Sequence, residues 1–430
     1  MSLRETARAV FDAAVRAADV HPLIHRALAD LHLAARGRVV VVGAGKASGA
    51  MAAAAERALG ERIADGLVVV KDGYLADTTR VRLVEAGHPV PDVRGEAAAR
   101  RIRALAEAAG PDDLLLVLVS GGGSALTPAP VPPITLADKQ AMTRLLLAAG
   151  ANINQLNAVR KHCSLLKGGQ LARAAAPARV HALLLSDVIG DPLDVIASGP
   201  TAPDASTFAE ALAILDRFEL KARAPAAIVE RLARGARGEI PETPKPADPV
   251  FRAVTNTVIG NNLLVVEAAA SAARALGYAP HVLTRALEGE AREVARTLVG
   301  LARGIQAGRG PVAAPACLIA GGETTVTVRG AGSGGRCQEW ALAAAIELDG
   351  VDGIVALAAG TDGTDGPTEA AGAVADGASA KRARERGHDP RARLAENDSN
   401  PVFAALDDLV VTGPTNSNLL DLYLLLVEGR

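Results

Sequence analysis

The stretch Val39-Val-Val-Val42-Gly43-Ala-Gly-Lys-Ala-Ser-Gly49 decides how the first half of the chain is interpreted. Four valines are followed by a glycine-rich turn and then by an alanine-rich segment. A continuous apolar run without polar alternation is typical of a strand that is covered on both faces of its sheet. The stretch therefore predicts a buried strand and a tight turn into a helix that packs on the sheet.

The same order of apolar run and small-residue turn recurs along the chain. Further strands are predicted at residues 67–70, 114–119, 181–185, 254–259, 317–320, 325–328, 353–360 and 409–412. The segment Thr325–Val328 differs from the others, because its alternation predicts a half-exposed strand. Strands that alternate with helices predict βαβ units and a mostly parallel sheet, so the fold class is α/β.

Capping residues predict where two of the helices begin and end. One helix is expected to start after Asp92 and to stop at Gly110, since Pro111 blocks its continuation. A second is expected to start after the capping box of Thr135 and Asp138 and to run toward Gly150.

The best linker candidate is the segment 234–249, which holds four prolines and two glycines without any periodicity. It divides the chain into two predicted α/β domains, residues 1–238 and residues 250–430. The first is expected to be a doubly wound, mostly parallel sheet and the second a smaller α/β domain. The active site is expected in the cleft between them.

Composition excludes several classes of protein. The 430 residues carry a formal net charge of −2 and only 2 % aromatic residues, which argues against nucleic-acid binding. The N-terminus lacks the apolar region of a secretory signal, and no run approaches the ~18 apolar residues of a membrane span. The three cysteines are far apart, without a CxxC pair, so a reducing cytoplasm is the expected location.

Two glycine-rich loops are candidate phosphate-binding elements. Gly43, Gly45 and Gly49 follow a GxGxxxG spacing, and Lys46 within it fits a highly charged phosphate better than a dinucleotide. A tight turn with a solvated lysine is the alternative. The run Ser120-Gly121-Gly122-Gly123-Ser124 predicts a nest of backbone N–H donors for an anion.

Charged side chains follow other predicted strands. The carboxylates are Asp187, Asp191, Glu323, Asp362 and Asp365. Carboxylates at such positions can hold Mg²⁺ or orient a substrate hydroxyl, although Asp191 before Pro192 also fits a turn. Arg336 lies in a glycine loop, where a guanidinium suits carboxylate or phosphate, or is simply exposed. Because no nucleophile, zinc set or redox pair is evident, this inventory points to phosphoryl transfer.

At these loops the sequence resembles the glycerate 2-kinase family, which has a Rossmann-like N-terminal domain and a C-terminal MOFRL domain. The matching segments are collinear and lie at 43–48, 87–91, 120–126, 156–162, 186–191, 198–201, 321–324, 334–339, 360–366 and 415–418. Cys337 departs from the pattern, since asparagine is expected there, and this puts the neighbouring polar contacts in doubt.

The resemblance implies transfer of the γ-phosphoryl group of ATP to the 2-hydroxyl of D-glycerate, with ATP and Mg²⁺ as cofactors. By matching position, Lys46 and Arg336 become the expected active-site cations and Asp187 the residue that orients the hydroxyl or Mg²⁺. The further expected roles are phosphate or substrate binding by Gly43, Gly45, Ser120, Gly121, Gly122, Gly123, Ser124, Glu323 and Asn418, and metal binding by Asp191, Asp362 and Asp365.

Two other functions stay open from the sequence. One is an NAD(P)H-dependent hydroxypyruvate reductase, which the glycines at 43–49 and Asp72 favour and Lys46 disfavours. The other is a non-catalytic regulator that binds a phosphosugar in similar loops. In each case the expected partners are small molecules, without nucleic acid or membrane, and a homodimer is expected from the frequency of two-fold assemblies.

Overall fold

The computed structural model describes residues 1–29, 31, 33 and 37–429. They divide into a first unit, residues 20–259, and a second unit, residues 1–19 together with 260–430. Each unit contains one six-stranded sheet.

The described residues form twelve strands: β1 (Val39–Ala44), β2 (Ile63–Lys71), β3 (Arg82–Ala86), β4 (Leu114–Val119), β5 (Arg179–Leu185), β6 (Val254–Gly260), β7 (Ala279–Leu287), β8 (Ala316–Gly322), β9 (Ile354–Gly360), β10 (Gly372–Asp376), β11 (Leu409–Val410) and β12 (Asp421–Val427).

They also form sixteen α-helices: α1 (Leu3–Ala17), α2 (Val20–Ala29), α3 (Ser48–Leu59), α4 (Val93–Glu107), α5 (Gly123–Leu126), α6 (Leu136–Ala148), α7 (Ile153–His162), α8 (Gln170–Ala175), α9 (Phe208–Arg217), α10 (Ala226–Ala236), α11 (Asn262–Ala275), α12 (Ala291–Gln306), α13 (Arg336–Glu347), α14 (Ser379–Glu385), α15 (Pro390–Ala395) and α16 (Ser399–Leu406). Short 3₁₀ helices lie at Gly60–Arg62, Ile196–Ser198 and Pro249–Ala253.

The sheet of the first unit has the strand order β3-β2-β1-β4-β5-β6. Strands β1 to β5 pair in parallel, and every residue of β1 and β4 is buried. This order is that of doubly wound dinucleotide-binding sheets, so the predicted Rossmann-like fold is confirmed. Ala44 of β1 is opposite Val119 of β4, which places the two glycine loops side by side at the carboxyl edge of the sheet.

The sheet of the second unit is mixed, with the order β11-β10-β9-β12-β8-β7. Only β7 and β8 pair in parallel among the described strands of this sheet, and the other neighbours are antiparallel. Trp340, Phe403 and Tyr423 lie in its core among many alanines. The predicted smaller α/β domain at the C-terminal end is confirmed.

The predicted helix starts after Asp92 and Thr135 are confirmed by their hydrogen bonds, whereas the predicted stop at Gly110 is wrong, because α4 already ends at Glu107. Asp92 accepts from the N–H of Gly95, and Thr135 forms a reciprocal capping box with Asp138. The predicted strand Thr325–Val328 is wrong, because Thr325 forms only an isolated bridge with Glu290 and the next residues are irregular. No helix of the described residues is long and apolar enough to cross a membrane.

The two units differ from the expected division of the chain at both of its boundaries. Helix α1 packs against α11, so residues 1–19 belong to the second unit. The segment 234–249 lies inside the first unit, where the Thr243 hydroxyl donates to Asp204 at 2.9 Å and Lys245 contacts Glu242. A proline-rich segment can be held by side-chain contacts, which composition does not reveal.

Candidate active site

The turn after β1 is held against the loop after β4 by close contacts. Gly45 has a φ of +149°, and a Cβ there would lie 2.0 Å from the Ser120 hydroxyl oxygen, so a larger residue cannot fit. The N–H of Lys46 donates to the Gly121 carbonyl at 2.9 Å, and the N–H of Ala47 donates to the Ser120 hydroxyl at 3.0 Å. Ser120 is fully buried, so its hydroxyl joins the two loops.

Two further glycines allow the backbone of one loop to approach the backbone of the neighbouring strand. A Cβ on Gly43 would lie 2.1 Å from the carbonyl oxygen of Leu118, and one on Gly123 would lie 2.7 Å from that of Ala44. These glycines therefore serve the close approach of β1 and β4. Gly49, the third glycine of the GxGxxxG spacing, meets the Tyr74 carbonyl in the same way, at 2.9 Å.

The His88 ring packs against Gly122 in the glycine run. Gly122 has a φ of +86°, and a Cβ there would lie 3.0 Å from the His88 ring. Burial, together with the positive charges of Lys46 and Lys71, lowers the pKa of His88 to about 4. The imidazole is therefore neutral at pH 7 and adds no charge beside Lys46.

The far end of the glycine run is tied to two other loops. The hydroxyls of Ser124 and Ser198 are 2.8 Å apart, and Ser198 donates to the side-chain oxygen of Asn157 at 3.0 Å. The ammonium group of Lys167 donates to the Ser124 carbonyl at 2.8 Å. These contacts fix the loop that the sequence predicts to bind an anion.

The two predicted carboxylates after β5 are both half-buried. Asp187 lies two residues past the last residue of β5, next to Ser186, which makes two hydrogen bonds with Val188. Asp191 has a φ of +55°, a left-handed conformation that aspartate tolerates in turns. This backbone agrees with the turn interpretation of Asp191.

In the second unit, carboxylates on two elements hold Arg336. Its Nε and Nη2 donate to the two oxygens of Asp421 at 2.5 and 2.9 Å, and its Nη1 donates to Glu323. The Arg336 side chain is 34 % exposed, whereas Asp421 is buried. Burial alone would lower the pKa of Arg336, but Asp421 and Glu323 raise it above its ordinary value.

Asp421 is itself held by a hydrogen-bonded network. Its carboxylate accepts from the Tyr423 hydroxyl at 3.0 Å, and that hydroxyl lies 2.9 Å from the hydroxyl of Thr324. Thr324 follows Glu323, whose N–H donates to the carbonyl of Leu287 in β7. The network therefore sets the position of both carboxylates that contact Arg336.

Asp365 caps the helix that Arg336 begins. Its carboxylate oxygens accept from the N–H groups of Cys337 and Gln338 at 3.1 and 2.8 Å. Burial and the charge of Asp421 outweigh these bonds and raise the pKa of Asp365 to about 7. This capping role fits a structural residue, so Asp365 does not have the exposed, uncommitted carboxylate of a metal ligand.

The remaining predicted residues of the second unit line its loops. Asp362 accepts from the N–H and the hydroxyl of Thr364, both at 3.0 Å, which forms a local turn. Asn418 is half-buried and accepts from the N–H of Leu420 at 3.4 Å. Across the described residues, no group of three or more His, Cys, Asp or Glu side chains could hold a metal ion.

Sequence reasoning missed several charged residues of these loops. Asp421 opens the otherwise apolar strand β12, and an acid at the edge of such a run was an available signal. Glu339, buried on α13 and bonded to Arg292 at 2.7 Å, lies in a segment that the resemblance covered. Arg160 and Lys167 lie in polar segments where nothing in the pattern separates them from exposed cations.

Comparisons with known proteins give the same two-part organisation. Residues 6–233 match the family described as "Domain of unknown function (DUF4147)", and residues 316–421 match the MOFRL family. A protein of Agrobacterium vitis that carries the name hydroxypyruvate reductase is 44 % identical over 99 % of this chain and 95 % of its own.

Other relatives are named as kinases. The D-glycerate 2-kinase of Thermotoga maritima is 40 % identical over 91 % of both chains, and the glycerate kinase of Homo sapiens is 40 % identical over all of this chain and 94 % of its own. A crystal structure of the Thermotoga maritima glycerate kinase superposes with a TM-score of 0.90 over 99 % of both chains, at 39 % identity. On this sequence and structural similarity, the chain belongs to the glycerate 2-kinase family, with a DUF4147 region followed by a MOFRL region.

Proposed function

We propose that this chain transfers the γ-phosphoryl group of ATP to the 2-hydroxyl of D-glycerate and releases ADP and 2-phosphoglycerate. The observation that carries the proposal is the pair of hydrogen-bonded glycine loops, with Lys46 between them, at the carboxyl ends of β1 and β4. Ligands of doubly wound sheets bind at this edge. The proposal is supported by relatives that are named glycerate kinases.

The first unit would bind phosphate groups of ATP. Lys46 supplies a positive charge, and the run from Gly121 to Ser124 supplies backbone N–H donors beside the N-terminus of α5. His88 stays neutral and packs on Gly122, so it shapes the loop without competing for the phosphate. Ser120 acts as a positioning residue, because its hydroxyl bonds to Ala47 and Ser48.

The acceptor hydroxyl needs a group that orients it and takes its proton. The 2-oxygen of glycerate forms a bond to the γ-phosphorus while the bond from that phosphorus to the oxygen bridging it to the β-phosphorus breaks. Asp187, half-buried just after β5, is the carboxylate we assign to that hydroxyl and its proton. Arg336, oriented by Asp421, would stabilise the negative charge of the reacting groups.

Mg²⁺ is expected to enter with ATP. This ion is usually held by one or two carboxylates, by water and by the phosphates of the substrate, so a site without three protein ligands fits it. Asp187, Asp191 and Asp362 are the candidates from which one or two carboxylates would hold it, whereas Asp365 is committed to the cap of α13. When bound, the ion would neutralise charge on the phosphates.

The reductase alternative depends on an acid that binds the ribose of a dinucleotide. Asp72 follows β2, where such an acid lies, but its two carboxylate oxygens accept from Arg94 at 2.7 and 2.9 Å. The acid is therefore already paired with a cation. This pairing favours the kinase over the reductase, although a relative carries the reductase name.

The location and assembly of the chain are also proposals. The described cysteines, Cys163, Cys317 and Cys337, are free and buried, which supports a reducing, cytoplasmic location. A homodimer is proposed because two-fold dimers are the most frequent assemblies. Light scattering of the purified protein measures its mass, and a mass of one chain overturns the dimer.

One experiment separates the two activities. The protein is incubated with ATP, Mg²⁺ and D-glycerate, and phosphorus NMR distinguishes 2-phosphoglycerate from 3-phosphoglycerate. In parallel, NADH and NADPH absorbance is followed with hydroxypyruvate. We expect ATP-dependent 2-phosphoglycerate and no nucleotide oxidation. Formation of 3-phosphoglycerate contradicts the regiochemistry, and oxidation without phosphorylation contradicts the kinase.

Two lysine variants test the proposed phosphate site. Lys46→Met should lower kcat/KM by about 10²-fold or more, because a charge that meets the transferring phosphate is lost. Lys71→Met is the matched control, since Lys71 also acts on His88 but stacks on the Tyr74 ring. Equal kinetics for the two variants, with both folded, overturn the role of Lys46.

A further inference from the structure

A group of three basic side chains lies beside the glycine run of the first unit, and no carboxylate of the described residues pairs with them. Lys139, on α6, is 8 % exposed, and its ammonium nitrogen has no hydrogen-bond partner among the described residues. Lys167 is 3 % exposed and donates only to the Ser124 carbonyl among the described groups. Arg160 is half-buried in the last turn of α7, and in the described part of the chain no carboxylate pairs with it.

The three charges lie within electrostatic range of one another. Burial lowers the pKa of Lys167 well below its ordinary value, and the charges of Lys139 and Arg160 lower it further. Burial lowers the pKa of Lys139 to about 8, and Arg160 contributes to that shift. Glu96 has a small opposing effect on Lys139, but its carboxylate is already bonded to Arg100 at 2.6 Å.

Lys161, the next residue on α7, is a buried cation that is paired with carboxylates of the same chain. Lys161 is 3 % exposed, and its ammonium lies 3.0 Å from Asp194 and 3.3 Å from Asp204. Buried charges are ordinarily paired in this way, because an unpaired one is costly to desolvate. Among the described residues the cluster lacks such partners. Arg160 stays charged at pH 7 although burial lowers its pKa to about 10, so we expect its compensating charge to come from outside the chain.

The cation group is connected to the proposed phosphate loop. Lys167 bonds to the Ser124 carbonyl, and with Gly123 it lines a small cavity of about 30 Å³. Asn157, three residues before Arg160 on α7, accepts from Ser198, which in turn contacts the Ser124 hydroxyl. Residues three apart on a helix share a face, so Arg160 lies on the side of α7 that meets this loop.

We propose that Arg160, backed by Lys139 and Lys167, binds an oxyanion group of a substrate beside Ser124. Arg160 makes the contact because it is the exposed member, and its planar guanidinium matches a carboxylate or a phosphate. Lys139 and Lys167 are positioning residues: Lys167 holds the Ser124 carbonyl, and a bound oxyanion would raise the pKa of both amines and so favour their charged forms. This inference rests on the proposed function for its two sources of oxyanion, the carboxylate of D-glycerate and a phosphate of ATP.

Binding measurements test the site without requiring turnover. Isothermal titration of the whole protein is done with inorganic phosphate, D-glycerate and ATP, for the wild type, Arg160→Gln, Arg160→Lys and Arg144→Gln. Arg144 is exposed on α6 and serves as the matched control for loss of charge. Arg160→Gln should weaken at least one of these ligands about tenfold or more, Arg160→Lys should weaken it less, and Arg144→Gln should match the wild type.

Steady-state kinetics of Arg160→Gln identify which oxyanion binds at this site. A higher KM for D-glycerate with unchanged KM for ATP assigns the carboxylate, and the reverse assigns the phosphate. Thermal unfolding separates binding from a structural role. Without ligand, Arg160→Gln should melt at or above the wild-type temperature, because an unpaired, desolvated charge is removed. A lower melting temperature with unchanged binding overturns the site.

Different results would overturn the oxyanion site and the kinase activity. If the wild type phosphorylates D-glycerate while both Arg160 variants keep its affinities and KM values, the oxyanion site is wrong and the kinase stands. If phosphate binding depends on Arg160 but no phosphorylation occurs, the kinase is wrong and the site stands. If the wild type binds none of the three probes, the oxyanion site is also overturned.

Discussion

In the second unit, hydrogen bonds to two carboxylates fix the orientation of the Arg336 guanidinium. Two of its nitrogens bond to Asp421 and a third bonds to Glu323, so its orientation is fixed before any substrate arrives. The carboxylates also compensate its charge, which lets a guanidinium lie in a partly buried loop. Positioning, more than free charge, is therefore the property that Arg336 offers to the reaction.

We expect a lysine in place of Arg336 to lower the activity, although it keeps the positive charge. Arg336→Lys loses the two-pronged contact with Asp421, so we expect kcat/KM to fall by about 10²-fold in steady-state assays with D-glycerate and ATP. Arg382→Lys is the control in the same unit, since Arg382 also bonds to a buried aspartate, Asp408. Kinetics of Arg336→Lys equal to those of Arg382→Lys would contradict the role of Arg336.

His88 predicts a distinct pH dependence of stability. Its pKa is about 4 in the folded chain and about 6.5 when exposed, so the unfolded chain binds a proton first as the pH falls. The free energy of unfolding should therefore decrease between pH 6.5 and pH 4. Thermal unfolding of His88→Asn should show a shallower loss over this range, whereas a variant of the exposed His25, His25→Asn, should follow the wild type. Parallel curves for all three proteins would refute the assignment.

At the scale of elements, the glycine turns and the buried strands are predictable, and their long-range contacts are not. The runs at 39–42 and 114–119 locate β1 and β4, because strands covered on both faces are continuously apolar. Strands β3 and β7 are not predicted, since partly exposed edge strands carry mixed residues. The buried strands β10 and β12 are also not among the predicted strands, although the run of β12 is apolar after Asp421. Their pairing depends on neighbours that are distant in sequence.

The same limit applies to the candidate site. The loops with Lys46 and Arg336 are evident from glycine and charge, but Asp365 was expected to bind metal and instead caps α13. That contact joins residues 27 and 28 positions apart, so no local spacing encodes it. That Arg160 has no carboxylate partner in the described part of the chain is likewise visible only once its surroundings are known.

The cap of α13 can be tested by substitution. Asp365→Ala leaves the N–H groups of Cys337 and Gln338 without an acceptor, which should lower the free energy of unfolding by about 1–3 kcal/mol in urea titrations. Asp365→Asn keeps one acceptor oxygen and should lose less. Asp349→Ala, which removes an exposed ion pair with Arg384, should stay within about 0.5 kcal/mol of the wild type. An Asp365→Ala variant as stable as Asp349→Ala would exclude the capping role.

At the scale of the whole molecule, the first helix of the chain completes the unit formed by its last 171 residues. Helix α1 packs on α11 and contacts β9 and β12. Its Arg4 donates to the carboxylates of Asp376 and Asp408 and to the hydroxyl of Ser379. These bonds join α1 to β10, to the start of α14 and to Asp408, so residues 1–19 are part of the packing of the second unit.

Loss of this connection should therefore destabilise the second unit in particular. Arg4 is 27 % exposed and Asp408 only 5 %, so Arg4→Met leaves a buried carboxylate with one cationic partner fewer and should cost about 1–3 kcal/mol. Arg16→Met is the control on the same helix, because Arg16 is exposed in the last turn of α1, where loss of a side chain should change the stability by at most about 0.5 kcal/mol. Limited proteolysis with mass spectrometry locates the effect: in Arg4→Met, cleavage should increase within residues 260–430, while residues 20–259 are cut as in the wild type. Equal cleavage of both units, or equal stability of the two variants, would show that α1 is not an integral part of the second unit.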